Sequence, residues 1–108
     1  MTEQFPTPVL NEFESTATAG GRVERLSLVE FEMLSQLLRY PEQPIGRESL
    51  KQVSGVSDSN ISDRKLDRWM SALIRKTNAL HPAFPVVRFS PPDGYVYTES
   101  PPKRIRAG

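Results

Sequence analysis

One segment near the middle of the chain carries the residues best suited to a chemical role. Residues 61–77, ISDRKLDRWMSALIRKT, read as a helix with cations and apolar residues on opposite sides. At roughly 100° per residue the cations span an arc of about 120°. They are Arg64, Lys65, Arg68, Arg75 and Lys76. The other side carries Leu66, Met70, Leu73, Ile74 and Thr77, with Trp69 at the boundary. Such a helix can pack on a core and present cations to a polyanion.

The same segment also allows more ordinary interpretations. A basic helix face can be a solvated surface without a specific partner. Asp63 and Asp67 lie one turn apart, and we interpret them as ion-pair partners that orient arginines rather than as an acid–base pair. Trp69 is equally consistent with a core side chain and with a contact on the basic face.

The composition excludes several classes of site. The chain has no cysteine and one histidine, His81, which excludes disulfides, thiolate metal sites and multi-histidine metal sites. His81 lies at the predicted end of the basic helix, where a cation is mildly favourable. The sequence contains neither a phosphate-binding glycine loop nor a nucleophile elbow. We therefore expect no enzyme, no metal and no cofactor.

The 108 residues suit one domain. The formal net charge is +1, but residues 1–50 carry −4 and residues 51–108 carry +5. A polyanion should therefore meet the second half of the chain. The sequence shows neither a signal peptide nor an apolar run long enough to span a membrane, so we expect a cytoplasmic protein without a membrane partner in this chain.

Local signals predict the elements that position the basic helix. Two short strands are expected at residues 9–14 and 22–26, around a turn at residues 18–21. Ser27 and Glu30 form a capping box that begins a first helix, and Tyr40, which precedes Pro41, ends it. A second helix is expected at residues 46–54.

The polar run at residues 57–60 should cap a third helix, at about residues 59–78. A β-hairpin then follows at residues 86–97, joined through Pro91-Pro92-Asp93-Gly94. We divide the chain into a flexible lead-in at residues 1–8, a folded domain at residues 9–98 and a basic disordered tail at residues 99–108. The tail cations, Lys103, Arg104 and Arg106, suit either an arm that binds a nucleic-acid backbone or a solubilising tail.

Four segments, in order, resemble the OmpR/PhoB-type winged-helix domains that form the output half of bacterial response regulators. LSLVEFEML at residues 26–34 resembles LTxxEFxLL of the family's first helix, and PIGRESL at residues 44–50 resembles VxSRExLL of the second. RKLDRWMSALIRK at residues 64–76 resembles RxVDVHISRLRRK of the recognition helix, and Gly94-Tyr95 matches GxGY of the wing. The resemblance covers residues 22–97.

The resemblance implies an α+β fold: a winged helix-turn-helix with three helices, a C-terminal β-hairpin wing and a small N-terminal antiparallel sheet. It also implies a sequence-specific transcription regulator, bound to double-stranded DNA as a homodimer on tandem half-sites and associated with the nucleoid. The implied DNA contacts are Arg64, Lys65, Arg68, Trp69, Ala72, Arg75, Lys76 and Arg88. Contact with RNA polymerase is implied for the loop that contains Val56, Ser57, Asp58 and Ser59.

Departures from the family pattern support a second hypothesis. Ala72 and Ile74 occupy positions where the family often has arginine, and the wing lacks its usual arginine. Arg68 occupies a position that is usually apolar, so the basic face is re-centred. Arg88, beside the wing, suits either a phosphate contact or a shield for the sheet. The alternative function is therefore a winged-helix protein–protein interaction module that has lost DNA binding.

Overall fold

The computed structural model describes residues 7–54, 61–82 and 85–99. Three helices and two small antiparallel sheets make up this part of the chain. In chain order the elements are β1 (Val9–Asn11), β2 (Thr16–Ala19), β3 (Arg22–Arg25), α1 (Leu28–Arg39), β4 (Ile45–Gly46), α2 (Arg47–Val53), α3 (Asp63–Leu80), β5 (Val87–Ser90) and β6 (Gly94–Tyr97). The predicted α+β winged helix, with its N-terminal sheet and C-terminal hairpin, is confirmed.

The N-terminal sheet has three strands in the order β1-β2-β3, where the sequence predicted two. The missed strand is β2, which lies between the two predicted segments and pairs with both. Its sequence, TATA, lacks large apolar residues, yet Ala17 and Ala19 are buried. The turn to β3 uses Gly20 and Gly21, both at positive φ, the conformation that a two-residue hairpin turn demands.

Helix α1 begins and ends where the sequence predicts. The Ser27 side chain accepts from the Glu30 backbone N–H at 3.1 Å, and the Glu30 carboxylate accepts from the Ser27 N–H at 2.8 Å, which completes the capping box. Tyr40 is the C-cap. The buried side of the helix carries Glu30, Phe31, Met33, Leu34 and Leu37.

Helix α3 is displaced along the sequence from its predicted bounds. The expected caps at residues 57–60 were wrong, because Ser62 is the N-cap and accepts from the Lys65 N–H at 3.1 Å. The helix continues past residue 78 to Leu80, and His81 is its C-cap, immediately before Pro82. The position before a proline disfavours the helical conformation, which accounts for the end. The buried side of α3 is the predicted apolar one.

The second sheet joins the hairpin to the start of α2, in the order β4-β6-β5. The sequence did not predict β4, whose two residues pair Ile45 with Tyr95 and Gly46 with Gly94. A Cβ on Gly94 would lie 2.5 Å from the Ile45 carbonyl oxygen. Only glycine therefore fits at the first position of β6, where the strand approaches the backbone of β4 closely.

One core cluster connects all three helices with both sheets. Its fully buried large side chains include Met33, Leu34, Leu37, Leu50, Leu66, Met70, Leu73 and Tyr97. Because α3 contributes one side to this core, its basic side faces solvent. Among the helices in the described ranges, none has the length and apolar character that a membrane crossing requires.

Candidate nucleic-acid interface

The exposed side of α3 presents a row of cations. Arg64, Lys65, Arg68 and Arg75 are all exposed. In the described part of the chain, the guanidinium groups of Arg64, Arg68 and Arg75 take part in no hydrogen bond or ion pair. Uncommitted guanidinium groups can bind phosphate oxygens or the O6 and N7 edge of guanine. This surface therefore has the chemistry that a DNA backbone and its bases require.

Trp69 and Ala72 lie beside this row. Both side chains are partly buried, and Trp69 packs against the core cluster. The Lys65 ammonium lies 5.5 Å from the centre of the indole ring, within range of a cation–π interaction. Trp69 thus combines the two roles that the sequence left open, since it packs against the core and borders the cationic surface.

Lys76 is committed to an internal contact. Its ammonium donates to the Glu30 carboxylate at 2.7 Å and to the Arg25 carbonyl oxygen at 2.8 Å. Burial tends to raise the pKa of Glu30, but hydrogen bonds from Lys76 and from the Ser27 backbone outweigh it, so the pKa lies below its ordinary value. Lys76 therefore differs from the exposed α3 cations, because its ammonium is already bound to Glu30 and Arg25. The expected DNA contact at Lys76 stays a prediction.

Two ion pairs fix α3 to α2. Arg47 donates through Nε and Nη2 to the two carboxylate oxygens of Asp67, each at 3.0 Å. One turn away, Lys51 donates to Asp63 at 2.8 Å. Asp63 and Asp67 are ion-pair partners as predicted, but their cations belong to α2 and not to the basic face. The exposed α3 cations Arg64, Lys65, Arg68 and Arg75 are therefore not neutralised by these two aspartates.

Arg47 also reaches the hairpin. Its Nη1 donates to the Asp93 carboxylate at 3.0 Å, and its backbone N–H donates to the Asp93 carbonyl oxygen at 2.9 Å. The guanidinium carbon lies 5.2 Å from the centre of the Phe89 ring. Phe89 meets Tyr95 edge-on, with ring centres 5.4 Å apart.

The carboxylate of Asp67 is shared between the helix pair and the hairpin. The Tyr95 hydroxyl donates to Asp67 at 2.8 Å, next to the Arg47 contact. The hydrogen bond from Arg47 holds the pKa of Asp67 below its ordinary value. Burial, together with the hydrogen bond to Asp67, raises the pKa of Tyr95 to about 12. At neutral pH the group therefore consists of an anion, a cation and a neutral phenol.

The geometry can be compared with that of solved structures. No family model and no curated protein matches the sequence. The C-terminal domain of the nisin resistance regulator NsrR, a lantibiotic response regulator, is 26% identical with a TM-score of 0.70, over 85% of this chain and 92% of that chain. The DNA-binding domain of CpxR from E. coli is 25% identical with a TM-score of 0.71, over 93% and 98%.

A third similar structure contains DNA. The Klebsiella pneumoniae RstA DNA-binding domain, in complex with the RstA box, is 24% identical with a TM-score of 0.63, over 90% of this chain and 96% of that chain. These neighbours are OmpR/PhoB-type domains of response regulators. The chain has the winged-helix fold of these OmpR/PhoB-type domains. In this fold α3 corresponds to the recognition helix and the β5–β6 hairpin to the wing.

Arg88 lies on the wing strand β5 and is exposed. Its guanidinium group takes part in no hydrogen bond or ion pair among the residues that the structure covers. Six of the predicted DNA contacts lie at or beside the solvent-facing side of α3: Arg64, Lys65, Arg68, Trp69, Ala72 and Arg75. The contact set implied by the resemblance stays a prediction.

Some expected sites lie outside the described residues. They are the polymerase-contact residues Val56, Ser57, Asp58 and Ser59 and the tail cations Lys103, Arg104 and Arg106.

Sequence reasoning also missed one central residue, Arg47. The available signal was the position of Arg47 within the segment that resembles the family's second helix. A pairing over 20 and 46 residues of sequence has no periodicity that could reveal it.

Proposed function

We propose that this chain is a sequence-specific DNA-binding domain of a bacterial transcription regulator. The observation that carries the proposal is the row of exposed cations on the recognition helix, Arg64, Lys65, Arg68 and Arg75. In a winged helix the recognition helix enters the major groove and the preceding helix braces it against the backbone. The anions on the same helix, Asp63 and Asp67, are neutralised by α2 and do not oppose DNA.

The similar structures support the same function. The CpxR domain is a DNA-binding domain, and the RstA domain is bound to its own DNA box. Major-groove docking here would place Arg68 and Arg64 against base edges or phosphates, with Arg75 further along the groove. Arg88 on β5 would contact a phosphate on the flank, since wings lie beside the backbone.

Fluorescence anisotropy with a random-sequence duplex at several salt concentrations tests the proposal. The logarithm of the binding constant should fall with the logarithm of salt concentration, with a slope of about −0.9 per phosphate contacted. The variant Arg64→Ala/Arg68→Ala should weaken binding and reduce that slope. Arg39→Ala, which removes an exposed cation at the end of α1, is the matched control and should change neither. Absence of binding at low salt would contradict the proposal.

The finer parts of the proposal concern the assembly on DNA. Two copies would occupy repeated half-sites, and RNA polymerase would contact the loop between α2 and α3. Once selection from random DNA has given a site, duplexes with one and with two half-sites can be compared by sedimentation. Binding of two copies to the double site at lower protein concentration than to the single site would support tandem assembly.

A DNA-independent protein-interaction module is the second candidate. It is favoured by Ala72 and Ile74, which carry no charge on α3 and are partly buried. A winged helix with this weaker basic surface could bind a protein instead. Two results together would favour this candidate: no salt-dependent affinity for DNA in the anisotropy experiment, and capture of a polymerase subunit in the absence of DNA.

A further inference from the structure

The guanidinium group of Arg47 connects three elements. It belongs to the first residue of α2, binds Asp67 on α3 through two hydrogen bonds and binds Asp93 in the wing loop through a third. The side chain is only 17% exposed, because the Phe89 ring lies beside it. A single guanidinium group therefore contacts both the recognition helix and the wing loop.

We propose that Arg47 is a positioning residue that holds the wing at a fixed place relative to the recognition helix through Asp67 and Asp93. The inference rests on the proposed DNA-binding function for its consequence, but the link itself exists in the unbound domain. Its functional meaning is that α3 and the wing would meet DNA as one preformed surface. Preorganisation of this kind raises affinity because less conformational freedom is lost on binding.

Arginine is the residue that this role requires. Its guanidinium is planar and offers five donors in fixed directions, so it can bind one carboxylate with two bonds and a second carboxylate with another. A lysine ammonium in the same place has no such plane. The backbone hydrogen bond from the Arg47 N–H to the Asp93 carbonyl oxygen adds a fixed point at the same loop. The wing loop is thus held by both the side chain and the backbone of one residue.

The wing side of the link can be removed without disturbing the core. The Asp93 side chain is 60% exposed, and its carboxylate has Arg47 as its ion-pair partner. Asp93→Asn should therefore fold normally and keep the bidentate pair between Arg47 and Asp67. The variant removes the charge that pairs with Arg47 and leaves the backbone hydrogen bond from Arg47 to residue 93 in place.

Two explanations of Asp93 predict opposite changes in DNA affinity. If Asp93 were only an anion near DNA, its removal would strengthen binding, because a repulsive charge would be lost. If Asp93 holds the wing through Arg47, its removal weakens binding. The expected loss is about two- to fivefold in affinity, the range that an exposed ion pair supplies.

The binding experiment compares Asp93→Asn with Glu48→Gln in the full chain, on one duplex at one salt concentration. Glu48 is an exposed acidic residue of α2 whose ion pair is with Lys51 and not with Arg47. It therefore matches the change of charge without touching the wing link. We expect weaker binding for Asp93→Asn, and equal or stronger binding for Glu48→Gln. Equal or stronger binding for both variants would overturn the proposal.

Hydrogen exchange without DNA separates this proposal from the proposed function. Asp93→Asn and Arg47→Lys should both accelerate exchange of the β5 and β6 amides and of the residue 47 amide, while amides in the buried turns of α1 stay protected. Unchanged exchange in both variants would overturn the positioning role even if the domain binds DNA. If the wild type does not bind DNA but exchange of the wing amides rises in both variants, the proposed DNA-binding function is wrong and the positioning role of Arg47 stands.

Discussion

Lys76 and Glu30 join the recognition helix to the capping box of α1. The Lys76 ammonium lies 2.7 Å from the same Glu30 oxygen that accepts the Ser27 N–H. The Glu30 side chain is 9% exposed and that of Lys76 is 30% exposed. The Glu30 carboxylate therefore both completes the capping box of α1 and binds Lys76 in the C-terminal half of α3. This contact therefore links α3 directly to the start of α1.

Replacing Lys76 should affect stability more than DNA binding. In Lys76→Ala the largely buried Glu30 carboxylate loses its cation, and we expect the free energy of unfolding to fall by about 1–2 kcal/mol. Urea denaturation followed by circular dichroism measures this change. DNA affinity at a temperature where the variant is folded should fall less than it does in Arg68→Ala.

Arg75→Ala is the matched control for that variant, because Arg75 precedes Lys76 and is exposed. Its removal deletes the same charge but no contact with α1. We expect unchanged stability and weaker, less salt-dependent DNA binding. If Arg75→Ala destabilised the domain as much as Lys76→Ala, the loss would stem from helix charge and not from the contact with Glu30.

The lowered pKa of Glu30 predicts an acid-sensitive contribution to stability. Since the carboxyl binds protons more weakly in the folded state than in the unfolded chain, its contribution is present above the unfolded pKa of about 4.5 and is lost as the pH falls through the folded pKa. Urea midpoints of the wild type and of Glu30→Gln should therefore converge as the pH falls from 6 toward 3. Asp67, whose pKa is also lowered, contributes equally to both proteins and cancels in the difference.

Glutamine retains the hydrogen-bonding part of the capping box, which makes Glu30→Gln a conservative change. A difference between the two proteins that stays constant with pH would mean that the ionisation of Glu30 does not stabilise the fold.

The sequence predicted those parts of the fold that local patterns determine. The capping box at Ser27, the end of α1 at Tyr40 and the apolar side of α3 each depend on residues within a few positions of one another. The strands β2 and β4 were missed because their stability comes from partners elsewhere. TATA carries no large apolar residue, and the two residues of β4 are too few for any pattern.

The candidate site shows the same division. Helical periodicity correctly placed the exposed cations of α3 on one side, but it could not separate Lys76 from them. That distinction depends on Glu30, which lies 46 residues earlier in the chain. The sequence likewise predicted that Asp63 and Asp67 form ion pairs but did not identify the cations, because those cations lie on another helix. Packing of α2 against α3 supplied Lys51 and Arg47 instead.

Gly94 and Gly46 are paired across β4 and β6 but should tolerate alanine very differently. A Cβ on Gly94 would lie 2.5 Å from the Ile45 oxygen and 2.9 Å from its carbonyl carbon, both backbone atoms that cannot rotate away. We expect Gly94→Ala to destabilise the domain by about 1–3 kcal/mol, as overpacking does.

Gly46→Ala is the control for the Gly94 prediction. A Cβ there would have its nearest neighbour, the Asp93 carboxylate, at 3.8 Å, which is ordinary contact. Its loss of stability should stay below about 1 kcal/mol, as expected at a helix N-cap. Thermal denaturation of both variants measures these losses of stability. Equal losses in Gly94→Ala and Gly46→Ala would contradict the close approach between β4 and β6.

Trp69 offers a direct optical test of where DNA binds. It is the only tryptophan in the chain, so every change in indole emission reports one position. Its ring packs against the core on one side and meets the Lys65 ammonium at 5.5 Å on the other. DNA bound to the cations of α3 should cover the remaining indole surface. We expect acrylamide quenching to fall when saturating duplex is added to the wild type.

Two further proteins make the fluorescence result specific. Arg64→Ala/Arg68→Ala, which should bind DNA weakly, should keep its quenching constant at the same duplex concentration. Lys65→Met removes the ammonium but keeps an unbranched side chain. Comparison with the wild type then shows how much of the DNA-induced change in Trp69 fluorescence is due to displacement of the Lys65 ammonium. Unchanged quenching of the wild type at saturating duplex would place Trp69 outside the interface, and DNA would then have to approach α3 from the side of Arg75 and Ser71.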